Sequence, residues 1–209
     1  MHLVVFDLDT ALCPTNTMDG LALAKALQDV TGNKVSPELL VNSVDFRNIF
    51  YKFEERVASQ LEIVEFRTRY SFHLRRQYLI RPSVIPANYS LIERANSLQN
   101  RKDTVVGIVT STSLSALQLK SRNIGLYSEL MPVATSEDSD SLEGILSAIK
   151  TRARRSFGFQ FEKASLVSGE HWIAAAKQSN MLIITPENID VNNAKYFDYI
   201  HKASNTTLA

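Results

Sequence analysis

Short apolar runs recur along this chain, separated by longer stretches in which apolar positions return every three or four residues. The runs are LVVF (3–6), VVGIVT (105–110), LMPVAT (130–135), ASLVS (164–168) and MLIIT (181–185). Each has the length of a strand, most are rich in Val or Ile, and polar or turn residues bound them, which is how buried parallel strands read. Helical patterns fill the gaps between the last four: SLSALQLKSRN, DSLEGILSAIKTRARR and HWIAAAKQSN. Strands alternating with helices predict an α/β fold built on a parallel sheet.

The stretch from about Asp19 to Gln99 has another character. GLALAKALQDV, PELLVNSVDFRNIFYKFEERVASQ, EIVEFRTRYSFHLRRQYL and NYSLIERANSLQ are all helical in period, and no strand pattern interrupts them. RPSVIP (81–86) carries two prolines and reads as a linker. A helical block of this size between the first two strands is an insertion into the α/β unit. The tail HKASNTTLA is expected to fray.

Composition narrows the class without naming an activity. The 209 residues are 44% hydrophobic and 22% charged, ordinary values for a globular protein, and the net charge of +1 gives no general reason to expect nucleic acid or a membrane as partner. The single cysteine, Cys13, excludes an internal disulfide and a thiolate-rich zinc site, which suits a reducing compartment. The N-terminus runs straight into a short apolar strand rather than a signal-peptide pattern, so the expected location is the cytoplasm. No apolar run approaches the length that spans a bilayer.

The chemistry concentrates where the first strand ends, in VVFDLDTA. A strand alternates its faces, so Asp7 and Asp9 would point the same way and repel. Such a pair is tolerable where a cation sits between the two or one of them holds a proton. Mg²⁺, which prefers carboxylate oxygens, would answer the first condition and leave a carboxylate free to attack phosphorus or carbon. Thr110 and Ser111 follow the second strand, at the sheet end where open α/β folds bind ligands. The Thr110 hydroxyl and backbone N–H groups at a helix start could there hold a phosphate oxygen. Plainer alternatives are that the aspartates cap the following turn, that Thr110 and Ser111 cap the next helix, and that Cys13 is only a packed small residue.

With these elements in order, the sequence resembles the haloacid dehalogenase (HAD) superfamily of phosphatases and dehalogenases. That family opens with hhhDxDGT, h being hydrophobic, and VVFDLDTA matches all but the last two positions. It continues with a strand ending in Thr or Ser, as in GIVTS, and carries a helical cap between the two motifs. VIPANYSLIERANSL is similar to its proline-led helix before the second motif. The resemblance implies a Rossmannoid parallel sheet in the order 5-4-1-2-3, a core of residues 1–16 and 85–209, and a helical cap of residues 17–84. It implies Asp7 as nucleophile and metal ligand, and Asp9 as general acid/base whose main chain also reaches the metal. Thr110 would hold the phosphoryl group, with Ser111 beside it. The activity implied is Mg²⁺-dependent hydrolysis of small phosphorylated molecules through an aspartyl-phosphate.

The second half departs from the pattern. The family lysine after the third strand is missing from ATSEDSDSLEGILSAIK, where Lys150 comes only at the far end of a helix. The fourth motif, GDxxxD, is replaced by VSGEHW. Aligned on AAAKQSNM, Ser168 and Trp172 stand where the metal-binding aspartates belong; aligned on the glycine, Gly169-Glu170 replaces Gly-Asp and Glu170 becomes a metal ligand. In the first motif Gly-Thr has become Thr10-Ala11, which raises the backbone cost of the turn. The expectation is weakly held Mg²⁺ and impaired turnover. The alternative is an inactive relative that binds a phosphorylated ligand or a protein. The basic stretch RTRYSFHLRRQYLIR (67–81) reads as a solvated helix face, with anion binding the sharper alternative.

Overall fold

The computed structural model describes residues 1–40, 46–80, 86–158, 160–189 and Tyr196. Five parallel strands form one sheet: β1 (His2–Asp7), β2 (Thr104–Val109), β3 (Val133–Ala134), β4 (Lys163–Val167) and β5 (Leu182–Ile184). Their spatial order is β3-β2-β1-β4-β5, the expected order read from the opposite edge. The helices are α1 (Asn16–Thr31), α2 (Phe46–Glu54), α3 (Gln60–Ile80), α4 (Tyr89–Leu98), α5 (Leu114–Ile124), α6 (Leu142–Phe157) and α7 (Ile173–Gln178). The linker RPSVIP, apart from Pro86, and the tail lie outside the described residues.

Strand alternation explains why β1 is central. Val4 and Phe6 face α4 and α5, whereas Leu3 and Val5 face α6 and α7, and all four are fully buried. Withdrawing a large apolar side chain from water is worth about 1.5–3 kcal/mol, so a strand apolar on both faces is most stable between two helical layers. The edge strand β3 keeps only two residues of the run LMPVAT. Pro132 has no N–H to add to a ladder, although its carbonyl accepts from Ile108 N at 3.0 Å.

Helices α1, α2 and α3 share a separate apolar cluster, joined by Leu40 between α1 and α2 and by Ala116 of α5. Phe66 sits edge-on to Phe46 and Phe50, with ring centroids 5.1 and 5.5 Å apart. No strand occurs among the described residues of this layer.

Strand register aligns the ends that matter. Asp7 pairs with Val109 and Phe6 with Val167, so Asp7, Thr110 and Ser168 come to the same end of three adjacent strands.

Candidate active site

The chain leaves the extended conformation immediately after Asp7, and Leu8–Leu12 form a π-helical turn. Strand alternation therefore does not reach Asp9, and the two carboxylates take different partners. Asp7 Oδ2 accepts from Thr10 N at 3.0 Å and from the Thr10 hydroxyl. The Thr10 hydroxyl in turn accepts from Gly169 N at 2.7 Å, tying β1 to the loop after β4. This turn carries no positive-φ residue, so Thr10, standing where the resemblance expects glycine, takes no left-handed backbone. A Cβ on Gly169 would stand 3.1 Å from Thr10 Cβ, which accounts for glycine there.

Asp7 is fully buried, and its Oδ1 has no hydrogen-bond partner. Burial, and after it the charge of Asp9, push its pKa up to about 7, against the hydrogen bonds from Thr10 and the backbone. Near neutral pH Asp7 therefore carries a proton for much of the time, and Oδ1 is the oxygen free to hold it.

Asp9 meets a cation instead. One of its oxygens accepts from the Thr110 hydroxyl and the other from Lys120 Nζ. Lys120, on α5, is fully buried and also reaches Asp19 Oδ2 of α1 at 2.7 Å. Asp19 accepts further from the Tyr70 hydroxyl of α3 at 2.7 Å and from the Thr15 hydroxyl at 2.8 Å. Burial opposes the Lys120 ammonium, but Asp19 and Asp9 outweigh it and hold the pKa well above its ordinary value. Burial raises that of Asp19, with Lys120 pulling the other way. With Asp7 protonated, one ammonium faces two carboxylates, and hydroxyl donors from Tyr70, Thr15 and Thr110 share the surplus negative charge.

The other sequence-derived candidates are distributed less favourably. Thr110 is fully buried; its oxygen accepts from Thr112 N at 3.0 Å and lies 2.7 Å from the Thr112 hydroxyl. Ser111 is half-buried and takes no part in this network. Ser113 caps α5, accepting from Ala116 N at 3.2 Å. Ser168 is fully buried beside Asp7, and its hydroxyl donates to Gly169 O at 3.2 Å. Trp172 is fully buried in the apolar layer under α6 and α7. Glu170 is exposed, outside the Asp7–Asp9 network. Burial holds His171 below its ordinary pKa, against the charge of Asp9.

This donor set does not suit Mg²⁺, which asks for several oxygens in near-octahedral array. Of the four carboxylate oxygens of Asp7 and Asp9, only Asp7 Oδ1 is uncommitted. A hydroxyl stands at Ser168, and among the described residues no three His, Cys, Asp or Glu side chains converge as a metal site.

The sequence pattern did not single out Lys120 or Asp19, and Tyr70 entered only as part of the basic stretch 67–81. One signal was available for Lys120: it lies on the stripe Ala116, Leu117, Lys120, Ser121, Ile124, the buried face of α5.

No protein-family model and no curated protein matches this sequence. Solved structures do. A HAD hydrolase of family IA, variant 3, from Entamoeba histolytica has a TM-score of 0.66 at 14% identity, covering 88% of this chain and 83% of its own. CbbY from Rhodobacter sphaeroides, solved in complex with phosphate, has a TM-score of 0.64 at 18% identity, covering 88% and 84%. A predicted phosphoglycolate phosphatase from Haemophilus somnus has a TM-score of 0.61 at 16% identity, covering 90% and 88%. At such identities the likeness speaks for architecture, over most of the chain: it has the haloacid dehalogenase-like fold.

Proposed function

We propose that the chain is a hydrolase of small phosphate esters of the haloacid dehalogenase type in which turnover is impaired. The observation that carries this reading is Lys120: the positive charge beside the aspartates comes from the protein itself and is engaged by Asp9 and Asp19. In the reaction, ionised Asp7 attacks phosphorus and the ester oxygen leaves with a proton from Asp9. Water then cleaves the aspartyl-phosphate, returning a proton to Asp9, while Thr110 and Ser111 hold the phosphoryl oxygens.

Each step meets an obstacle. Asp7 is a poor nucleophile while protonated. Asp9 rests as a carboxylate facing Lys120, so it must take up the proton that Asp7 gives up and leave Thr110 and Lys120 to reach a leaving group. Asp7 and Thr110 have no exposed surface, so substrate enters only if the helices over them move. A Mg²⁺ ion, where a relative holds one, supplies charge to the transferring phosphoryl group. Neither it nor the family lysine has a ready equivalent here, and such charge is worth several kcal/mol, at about 1.4 kcal/mol per tenfold in rate.

A second reading treats residues 17–84 as a cap fastened to the core of residues 1–16 and 85–209, and the whole as an inactive ligand- or protein-binding module. It is favoured by Asp19 and Tyr70, which join α1 and α3 to Lys120 of α5 within the buried cluster. Assaying a panel of small phosphate esters with and without Mg²⁺, beside Asp7→Asn, separates the two. Slow release of phosphate, absent in Asp7→Asn, supports the impaired hydrolase. No release under any condition supports the module, and fast Mg²⁺-dependent turnover contradicts the impairment.

A further inference from the structure

A cavity of about 610 Å³ lies between α3 and the start of α5, and neither Asp7 nor Thr110 lines it. Arg67, Ser71 and Arg75 each follow the last by four residues, so they form one line along α3. Ser113 and Ser115 of α5 face them. The Ser71 hydroxyl lies 2.6 Å from that of Ser115, which lies 3.0 Å from that of Ser113. Hydroxyls from the helical layer and from the sheet-bearing layer thus meet at the first turn of one helix.

Both cations lack an acidic partner among the described residues. The Arg67 guanidinium is held by Ser136 O at 3.2 Å and by the Phe46 ring, 5.6 Å from its centroid, while its Nε is buried without an acceptor. Exposed Arg75 has no ion-pair partner there. The wall also contains Glu137, whose carboxylate accepts from Leu114 N at 3.0 Å and so already serves the helix start. Two arginines against one glutamate leave one surplus positive charge. Val64 and Phe72, both largely exposed, supply an apolar surface beside it. The volume lies within the range of small-molecule sites, about 300–1,000 Å³.

We propose that this cavity binds a small oxyanion with an apolar group attached, either a phosphate monoester or a carboxylate. Arg67, Arg75 and the serine hydroxyls take the anion, and Phe72 and Val64 take the apolar part. Binding here is independent of Asp7 and needs no turnover.

Calorimetry with phenyl phosphate, benzoate and inorganic phosphate as probes tests this. Phenyl phosphate or benzoate should bind saturably and more tightly than inorganic phosphate, and which of the two binds identifies the oxyanion. The surface variant Arg75→Gln should weaken binding about tenfold or more, the scale of one charge-assisted hydrogen bond. Measured in the Asp7→Asn background, where no ester is turned over, Arg75→Gln should weaken binding by the same factor. Absence of saturable binding in that background, or binding indifferent to both Arg75→Gln and Arg67→Gln, overturns the proposal.

Discussion

Lys120 of α5 and Asp19 of α1 form an ion pair at 2.7 Å between residues 101 positions apart, with Lys120 fully buried. The pair joins the helical layer to the layer that carries the sheet, and Asp9 completes it from the turn after β1. A buried ion pair need not add to stability, but removing one partner leaves the other charge without compensation. Lys120→Met should therefore cost about 3–5 kcal/mol. Adding Asp19→Asn removes one stranded carboxylate, so the double variant should recover part of that loss in urea unfolding. Additive losses would mean that the two residues are not coupled.

Asp7 sets an unusual pH dependence. Its folded pKa, about 7, lies above the ordinary 3.8, so the folded state binds the proton more tightly than the unfolded chain. That contribution is complete below the ordinary value and is lost as pH rises through about 7. Asp19, raised in the same direction, adds to the trend. His171, held low by burial, opposes it below its ordinary value of 6.5. Asp7→Asn should melt above wild type at mildly alkaline pH and flatten the profile between about pH 4 and 8. Parallel Tm profiles for the two proteins would show that Asp7 is ionised throughout.

The sheet was legible because its central strands β1 and β2 are buried on both faces and all five strands lie in continuous apolar runs, from LVVF to MLIIT. The position of Asp7 followed from the end of such a run. Asp9 was harder, since the π-helical turn begins at Leu8 and strand alternation stops there. The opening condition on the aspartate pair, a cation or a proton, is met both ways: Lys120 serves Asp9, and Asp7 favours a proton near neutral pH. The identity of the cation was not legible. Lys120 sits 111 positions from Asp9, and a lone lysine in LQLKSRN reads as solvated until its neighbours on the stripe prove buried.

The loop after β4 depends on close approach. Gly169→Ala places a methyl about 3.1 Å from Thr10 Cβ, against the residue whose hydroxyl holds both Asp7 and Gly169 N. Overpacking of this kind costs about 1–3 kcal/mol. The variant should unfold at correspondingly lower urea with an unchanged m value. A neutral effect would show that the loop shifts without strain.

We propose that the Lys120 ammonium on Asp9 and a proton on Asp7, rather than a metal, relieve the repulsion within the aspartate pair. The most direct test is the Tm of the wild-type chain during titration with Mg²⁺ to millimolar concentration, against NaCl of equal ionic strength. A metal bound only by the folded state raises stability with the logarithm of its concentration once above Kd. With Lys120 on Asp9 and only Asp7 Oδ1 uncommitted, Mg²⁺ should raise Tm no more than the NaCl control does. A saturable Mg²⁺-specific rise in Tm, abolished by Asp7→Asn, would show instead that a metal sits at the aspartate pair.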